Sequence, residues 1–158
     1  MKQFAKQFVV AATLVVPLAT AAQVKPEEAI RARQSIMRVT ALNFGPLAKM
    51  GMGDVPMNKA LFQTNAARIE SVWAMNPVQY FVQGSEKPVA GARIASFTDA
   101  RPEIWSQPEK FKAAAERATQ QIQNLAQAAR SGDEKAMRSA AGELGKNCKA
   151  CHDEFRAK

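Results

Sequence analysis

The sequence predicts an all-α fold: an antiparallel four-helix bundle with a long crossover loop between helices 2 and 3. Three observations carry this expectation. Apolar residues recur at helical spacing, three and four residues apart, in four stretches of the chain. Prolines and glycines gather between those stretches, above all in residues 76–101. The last two stretches are joined only by Ser131-Gly132-Asp133, a connection so tight that the helices on either side must run antiparallel.

The first helix opens at Pro26, a residue suited to a first turn, with Glu27 and Glu28 complementing the positive end of the macrodipole. It is predicted to reach about Met50, where Gly51 and Gly53 end it. Its apolar stripe is Ile30, Met37, Ala41, Phe44 and Leu47 or Ala48, and Arg33 lies inside that stripe. The second helix follows Asp54 and Pro56 and runs to about Met75, burying Leu61 and Val72 with Phe62, Ile69 and Trp73 beside them. Periodicity is then lost through residues 76–101, where Pro77, Gly84, Pro88 and Gly91 punctuate the chain. A loop of that length inside a compact domain either wraps something functional or conceals an element.

Ser106-Gln107-Pro108-Glu109 matches a capping box, so the third helix is predicted to start there with Ser106 accepting from the backbone and Glu109 reaching back. Phe111, Ala115, Ala118, Ile122, Leu125 and Ala129 then step by four and three to form a bundle seam. The stripe of the fourth helix is Met137, Ala140 or Ala141, Leu144, Cys148, Cys151 and Phe155. Both thiols therefore fall on its buried face. His152, four residues after Cys148, shares that side.

The chain has one histidine and two cysteines, and all three lie in Cys148-Lys149-Ala150-Cys151-His152. C-x-x-C-H is the attachment signature of c-type haem, with two thiols spaced to attack two vinyl groups and an imidazole placed to ligate the iron. A structural zinc site wants four ligands, and three Cys and His residues would need an added carboxylate or a second subunit to supply them. A thioredoxin-like pair belongs beside a βαβ unit, whereas these surroundings are helical in pattern. A haem-free thiol oxidoreductase with a Cys148 to Cys151 disulfide stays open, but it leaves the position of the lone histidine unexplained.

Lys2 and Lys6, an apolar run over residues 8–18 and the small residues Ala19-Thr20-Ala21-Ala22 make residues 1–22 a secretory signal peptide, cleaved after Ala21 or Ala22. Residues 23–158 are then a single haem-binding domain. The apolar run is too short for a membrane anchor and no second one follows, so a soluble, exported protein is expected, with the periplasm as the site of haem attachment. The formal net charge is +8, or +6 once Lys2 and Lys6 leave with the leader. That excess is dispersed and shows no basic block interleaved with aromatic residues, which argues against nucleic-acid binding. Lys146, Lys149, Arg156 and Lys158 cluster around the attachment site, where they would steer an acidic redox partner. The reading the sequence favours is solvated cations near a helix C-terminus. No paired nucleophile and base or carboxylate dyad stands out, so an enzyme in the ordinary sense is not indicated.

Several stretches occur together: the opening Lys25-Pro26-Glu27-Glu28 with Arg33-Gln34-Ser35, then Ala100-Arg101-Pro102-Glu103-Ile104-Trp105 in the loop, and a haem motif near the C-terminus within Gly145-Lys146-Asn147-Cys148-Lys149-Ala150-Cys151-His152-Asp153-Glu154-Phe155-Arg156. In this combination the chain resembles the cytochrome c′ family, the four-helix class of c-type cytochromes. The resemblance implies one covalent haem c, with Cys148 and Cys151 as its thioether positions and His152 as proximal iron ligand. It places Arg33 and Gln34 beside the haem propionates, Arg101 as a further propionate partner and Arg156 next to the proximal histidine. An arginine inside an apolar stripe independently asks for an anion, unless its stem packs while its head reaches water. Arg156 reads equally as an exposed charge at a helix end. The resemblance also implies a homodimer through the first two helices, with Phe62, Trp73 and Tyr80 as contributors.

No second histidine exists to face the iron opposite His152, which excludes a bis-histidine haem within one chain and peroxidase chemistry through a distal imidazole. The resemblance puts Met37 at that distal position, and two readings stay open. As a shield, Met37 leaves a five-coordinate, high-spin haem that binds nitric oxide or carbon monoxide, transfers single electrons and relieves nitrosative stress. As a thioether ligand, it makes a six-coordinate, low-spin electron carrier.

Overall fold

The computed structural model describes residues 24–91 and 97–157; the expected leader and Lys158 lie outside them. In chain order the elements are α1 (Pro26–Met52), α2 (Lys59–Trp73), a 3-10 turn (Pro77–Tyr80), the one-turn α3 (Glu103–Ser106), α4 (Pro108–Ser131) and α5 (Glu134–Phe155). The four long helices form a ring in which α1 packs on α2 and α5, and α4 packs on α2 and α5. Their directions follow from pairs across the seams. Asn65 donates to the Asn43 carbonyl and the Asn58 amide to Met50 Sδ, so α2 runs back along α1. Gln63 donates to the Ala129 carbonyl and Trp73 Nε1 to Thr119 Oγ1, which sets α4 against α2. This is the antiparallel four-helix bundle expected from the sequence.

α1 begins at Pro26 as predicted but continues through Gly51 to Met52. It stops at Gly53, whose φ of 84° suits glycine and whose N–H returns to the Lys49 and Met50 carbonyls. Arg138 of α5 also donates to the Met50 carbonyl while pairing with Glu134 at 2.7 Å. Pro46 sits inside α1 and offers no N–H to Leu42; next to that break, the side chain of Asn65 reaches the Asn43 carbonyl at 3.2 Å. At Gly51 α5 passes close by, such that a Cβ there would lie 3.0 Å from the Ala141 Cβ and 3.5 Å from the Arg138 carbonyl. Gly51→Leu is therefore expected to lose about 1–3 kcal/mol of stability in a urea melt. A loss under about 0.5 kcal/mol, typical of an open surface site, would show that α1 and α5 are not in contact there.

α2 corrects the predicted register. Asn58 caps it, with Oδ1 accepting from the Leu61 amide at 3.0 Å, and its buried stripe is Phe62, Asn65, Ala66 and Ile69. Leu61 is 42% exposed. Starting from Lys59, positions 62, 65, 66, 69 and 73 share one face, and Leu61 lies about 100° away from it. Phe62 is fully buried, so it belongs to the core and is withdrawn from any dimer surface.

The capping box at Ser106 is also corrected. Ser106 closes α3, while Gln107, outside the helical region at φ −128° and ψ 57° and without a side-chain cap, precedes Pro108 as the first residue of α4. A residue before proline is forced out of the helical region, which places the break at Gln107. The seam from Phe111 to Ala129 is buried as expected. Gly132, at φ 67°, turns the chain, and Asp133 caps α5 by accepting from the Ala136 amide at 3.0 Å.

The core has two parts. The larger fills the end of the bundle where the α1–α2 and α4–α5 connections lie, and includes Leu47, Phe62, Ile69, Leu125, Met137 and Leu144. The smaller, at the opposite end, is Ile104, Phe111, Ala114 and Phe155.

Candidate haem site

A cavity of about 470 Å³ opens beside the smaller core cluster, within the size range of cofactor pockets. α1 lines it with Arg33, Gln34, Met37, Arg38, Ala41 and Phe44. α4 adds Phe111, Ala115, Ala118 and Ile122, and α5 adds Leu144, Cys148, Cys151, His152 and Phe155. α2 contributes only Trp73. The stripe read on α1 thus divides: Ile30 and Leu47 are buried in protein, whereas Met37, Ala41 and Phe44 face the cavity.

The crossover supplies a wall. Its end is stitched to the C-terminus of α5, with the Arg101 amide donating to the Phe155 carbonyl at 3.0 Å and the Ala157 amide to the Asp99 carbonyl at 2.7 Å. That ladder carries Asp99 and Ala100 alongside His152 and Arg156. Further back, Phe81 meets Phe111 edge-on at 4.8 Å, and Phe111 meets Phe155 at 5.2 Å. These edge-to-face contacts fix the loop to both helices that carry the site. The 3-10 turn and α3 are the elements that the lost periodicity concealed.

Cys148 and Cys151 lie one turn apart, half-buried and unbonded to each other. Burial raises both thiol pKa values; each also gains from a neighbour, Cys148 from Cys151 and Cys151 from Glu154. They are thus protonated at neutral pH, unlike the low-pKa thiolates of disulfide oxidoreductases. His152 lines the cavity at its rim and is itself exposed rather than deeply enclosed. The helical turn explains this, since His152 is rotated about 40° from Cys148 and about 100° from Cys151. Desolvation, followed by the Arg156 charge, lowers its pKa against the opposing pull of Asp153. The neutral imidazole so favoured is the form that ligates metals.

Arg33 is buried and lines the cavity, with both terminal nitrogens engaged by crossover residues. Gln34 donates to the Phe97 carbonyl at 2.5 Å. Arg101 lies off the cavity, ion-paired with Glu103 at 3.0 Å. The backbone ladder to Phe155 explains the displacement, because it turns that segment along α5. Arg156 lines the rim, with Nε 3.9 Å from Asp99 Oδ2. The basic cluster is internally compensated: Lys149 pairs with Asp153 at 2.5 Å and Lys146 with Glu143 at 2.8 Å.

Sequence reasoning missed Arg38 at the rim and the crossover residues Val78, Phe81 and Thr98, which no periodicity marks. The donor set suits haem c: two unbonded thiols and an adjoining imidazole at one wall of an apolar box, with Arg33, Arg38 and Arg156 on its margin. No group of three or more His, Cys, Asp or Glu side chains among the described residues is placed to hold a bare metal ion.

Residues 28–156 match the family model described as Cytochrome C'. The chain is 35% identical over 134 residues to cytochrome c' of Alcaligenes xylosoxydans xylosoxydans, covering 85% of this chain and 97% of that protein. Among solved structures it is similar to cytochrome c' from Rubrivivax gelatinosus, with a TM-score of 0.74 at 34% identity over 84% of this chain and 97% of the other. A nitric oxide complex of a cytochrome c prime variant from Alcaligenes xylosoxidans gives a TM-score of 0.72 at 35% identity, covering 85% and 98%. The thiol and imidazole set at one bundle cavity and these matches along nearly the whole described chain lead to one conclusion: the chain belongs to the cytochrome c′ family and is a haem c protein.

Proposed function

We propose that this protein is an exported, periplasmic cytochrome c′ that binds nitric oxide and carbon monoxide at a five-coordinate haem iron and exchanges single electrons with redox partner proteins. The supporting observation is the cavity face that α1 presents. Met37 is half-buried there, and it is the only thioether among the lining residues. Thr40 also lines the cavity, but its hydroxyl donates to the Ile36 carbonyl at 2.8 Å. At Met37 that face therefore offers an apolar side chain, with no free hydroxyl beside it to hold dioxygen. When bound, haem supplies an iron that changes oxidation state by one electron and takes up a small gas.

The chain's own residues divide the remaining work. Cys148 and Cys151 would hold the group and His152 would ligate it. Phe111, Ile122 and Leu144 give the cavity an apolar lining, and Gln34 and Arg33 would lie beside its propionates. The relative captured with nitric oxide supports the gas reading. Among the described residues no helix is long and apolar enough to cross a membrane. A homodimer through α1 and α2 belongs to the same proposal, supported by Leu42 and Leu61, which are 69% and 42% exposed on those helices.

An absorption spectrum of the reduced protein, with and without carbon monoxide, tests the reading. A high-spin spectrum that shifts on adding carbon monoxide is expected. A low-spin spectrum that carbon monoxide does not move overturns it and puts Met37 on the iron. With Met37 as a shield, Met37→Ala speeds carbon monoxide association about tenfold or more, equivalent to removing about 1.4 kcal/mol of barrier.

A further inference from the structure

Arg33 is the only charged side chain buried among the described residues, at 3% exposure. Its Nη1 donates to the Tyr80 carbonyl at 3.0 Å and to Ser85 Oγ at 2.7 Å. Its Nη2 donates to the Ser85 carbonyl at 2.6 Å and to Thr98 Oγ1 at 2.8 Å. The guanidinium also lies over the Phe81 ring, 4.7 Å from its centroid. Four terminal N–H groups thus meet four acceptors, all in the crossover and drawn from two segments that flank residues 86–97. Ser85 is itself fully buried and donates to the Val82 carbonyl at 2.6 Å, which closes the first segment into a turn.

We propose that Arg33 serves the haem site as a positioning residue: it clamps the crossover onto α1, so that Val78, Phe81, Thr98 and Ala100 form a closed wall of the cavity. This rests on the reading above that haem sits in that cavity, and it gives Arg33 a role other than direct partner of a propionate. The rigid fork of a guanidinium spans four acceptors in two segments at once; a lysine ammonium has three donors at one point and cannot. Charged donors facing neutral acceptors make strong hydrogen bonds in a buried setting. Desolvation lowers the Arg33 pKa to about 10, with Glu86 pulling the other way, so the charge persists at neutral pH.

The test compares the haem-loaded wild type with Arg33→Lys and Ser85→Ala. Amide exchange is followed in residues 80–86 and 97–101, together with the carbon monoxide association rate and the pH dependence of the reduction potential. Loss of buried hydrogen bonds predicts exchange about tenfold faster or more in both segments of Arg33→Lys, with faster carbon monoxide association. Ser85→Ala, which alters no cavity-lining residue, shifts both readouts in the same direction by about threefold and leaves the pH dependence of the potential unchanged. If Arg33→Lys, with its charge kept, matches wild type in exchange and gas binding, or if Ser85→Ala affects neither, the clamp is overturned. Should Arg33→Lys fail to fold, Ser85→Ala decides alone. Wild type that ignores carbon monoxide sinks the five-coordinate reading, while exchange still judges the clamp.

Discussion

Replacing both Cys148 and Cys151 by alanine is expected to abolish covalent retention of haem. The chain has no other cysteine, so no thioether can form elsewhere, and both thiols line the same cavity wall. Each single alanine variant keeps one bond and still carries pigment through a denaturing gel. The double variant should lose it entirely to acidified organic solvent, even with His152 in place. His152→Ala separates the other half of the motif, because no second imidazole exists to take over the iron. Haem there stays tethered while its absorption spectrum changes. Pigment surviving extraction from the double alanine variant would contradict attachment at this motif.

Phe62→Ala is expected to cost about 3–5 kcal/mol. Its ring is fully buried in the cluster with Leu47, Met50, Ile69 and Leu125, where no solvent can fill the cavity left behind. Set against a usual total of about 5–15 kcal/mol, that removes a large part of the margin. Leu61→Ala, one residue earlier and 42% exposed on the proposed dimer face, leaves no cavity in the core and should cost well under half as much. Denaturant titration of both variants measures the difference. Similar losses for the two would mean that α2 is rotated from the orientation described.

The sequence legibly marks α4, α5 and the motif because their apolar residues recur without a break and the reactive residues fall inside that rhythm. α2 was harder to read: Leu61 and Phe62 are adjacent and both apolar, and only the cap at Asn58 decides between them. The 3-10 turn and α3 have four residues each, too few to show a period. Ser106 satisfies the pattern of a capping residue, yet the backbone restriction before Pro108 overrides it. For Arg33 the sequence shows an ionic misfit inside an apolar stripe and so calls for an anion, whereas its hydrogen bonds go to neutral oxygens. The acceptors actually found lie 47 to 65 residues away in a stretch without rhythm. The same distance in sequence hides Phe81 and Thr98 from the cavity.

The division of the buried side chains bears on how the molecule matures. The cluster around Phe62 and Leu125 draws on all four long helices and is complete with protein atoms alone. The group around Phe111 and Phe155 is buried too, with one side bordering the pocket. Both thiols border that pocket, so on the proposed reading haem can be joined there without disturbing the larger cluster. The prosthetic group would then fill a space whose walls the polypeptide already outlines.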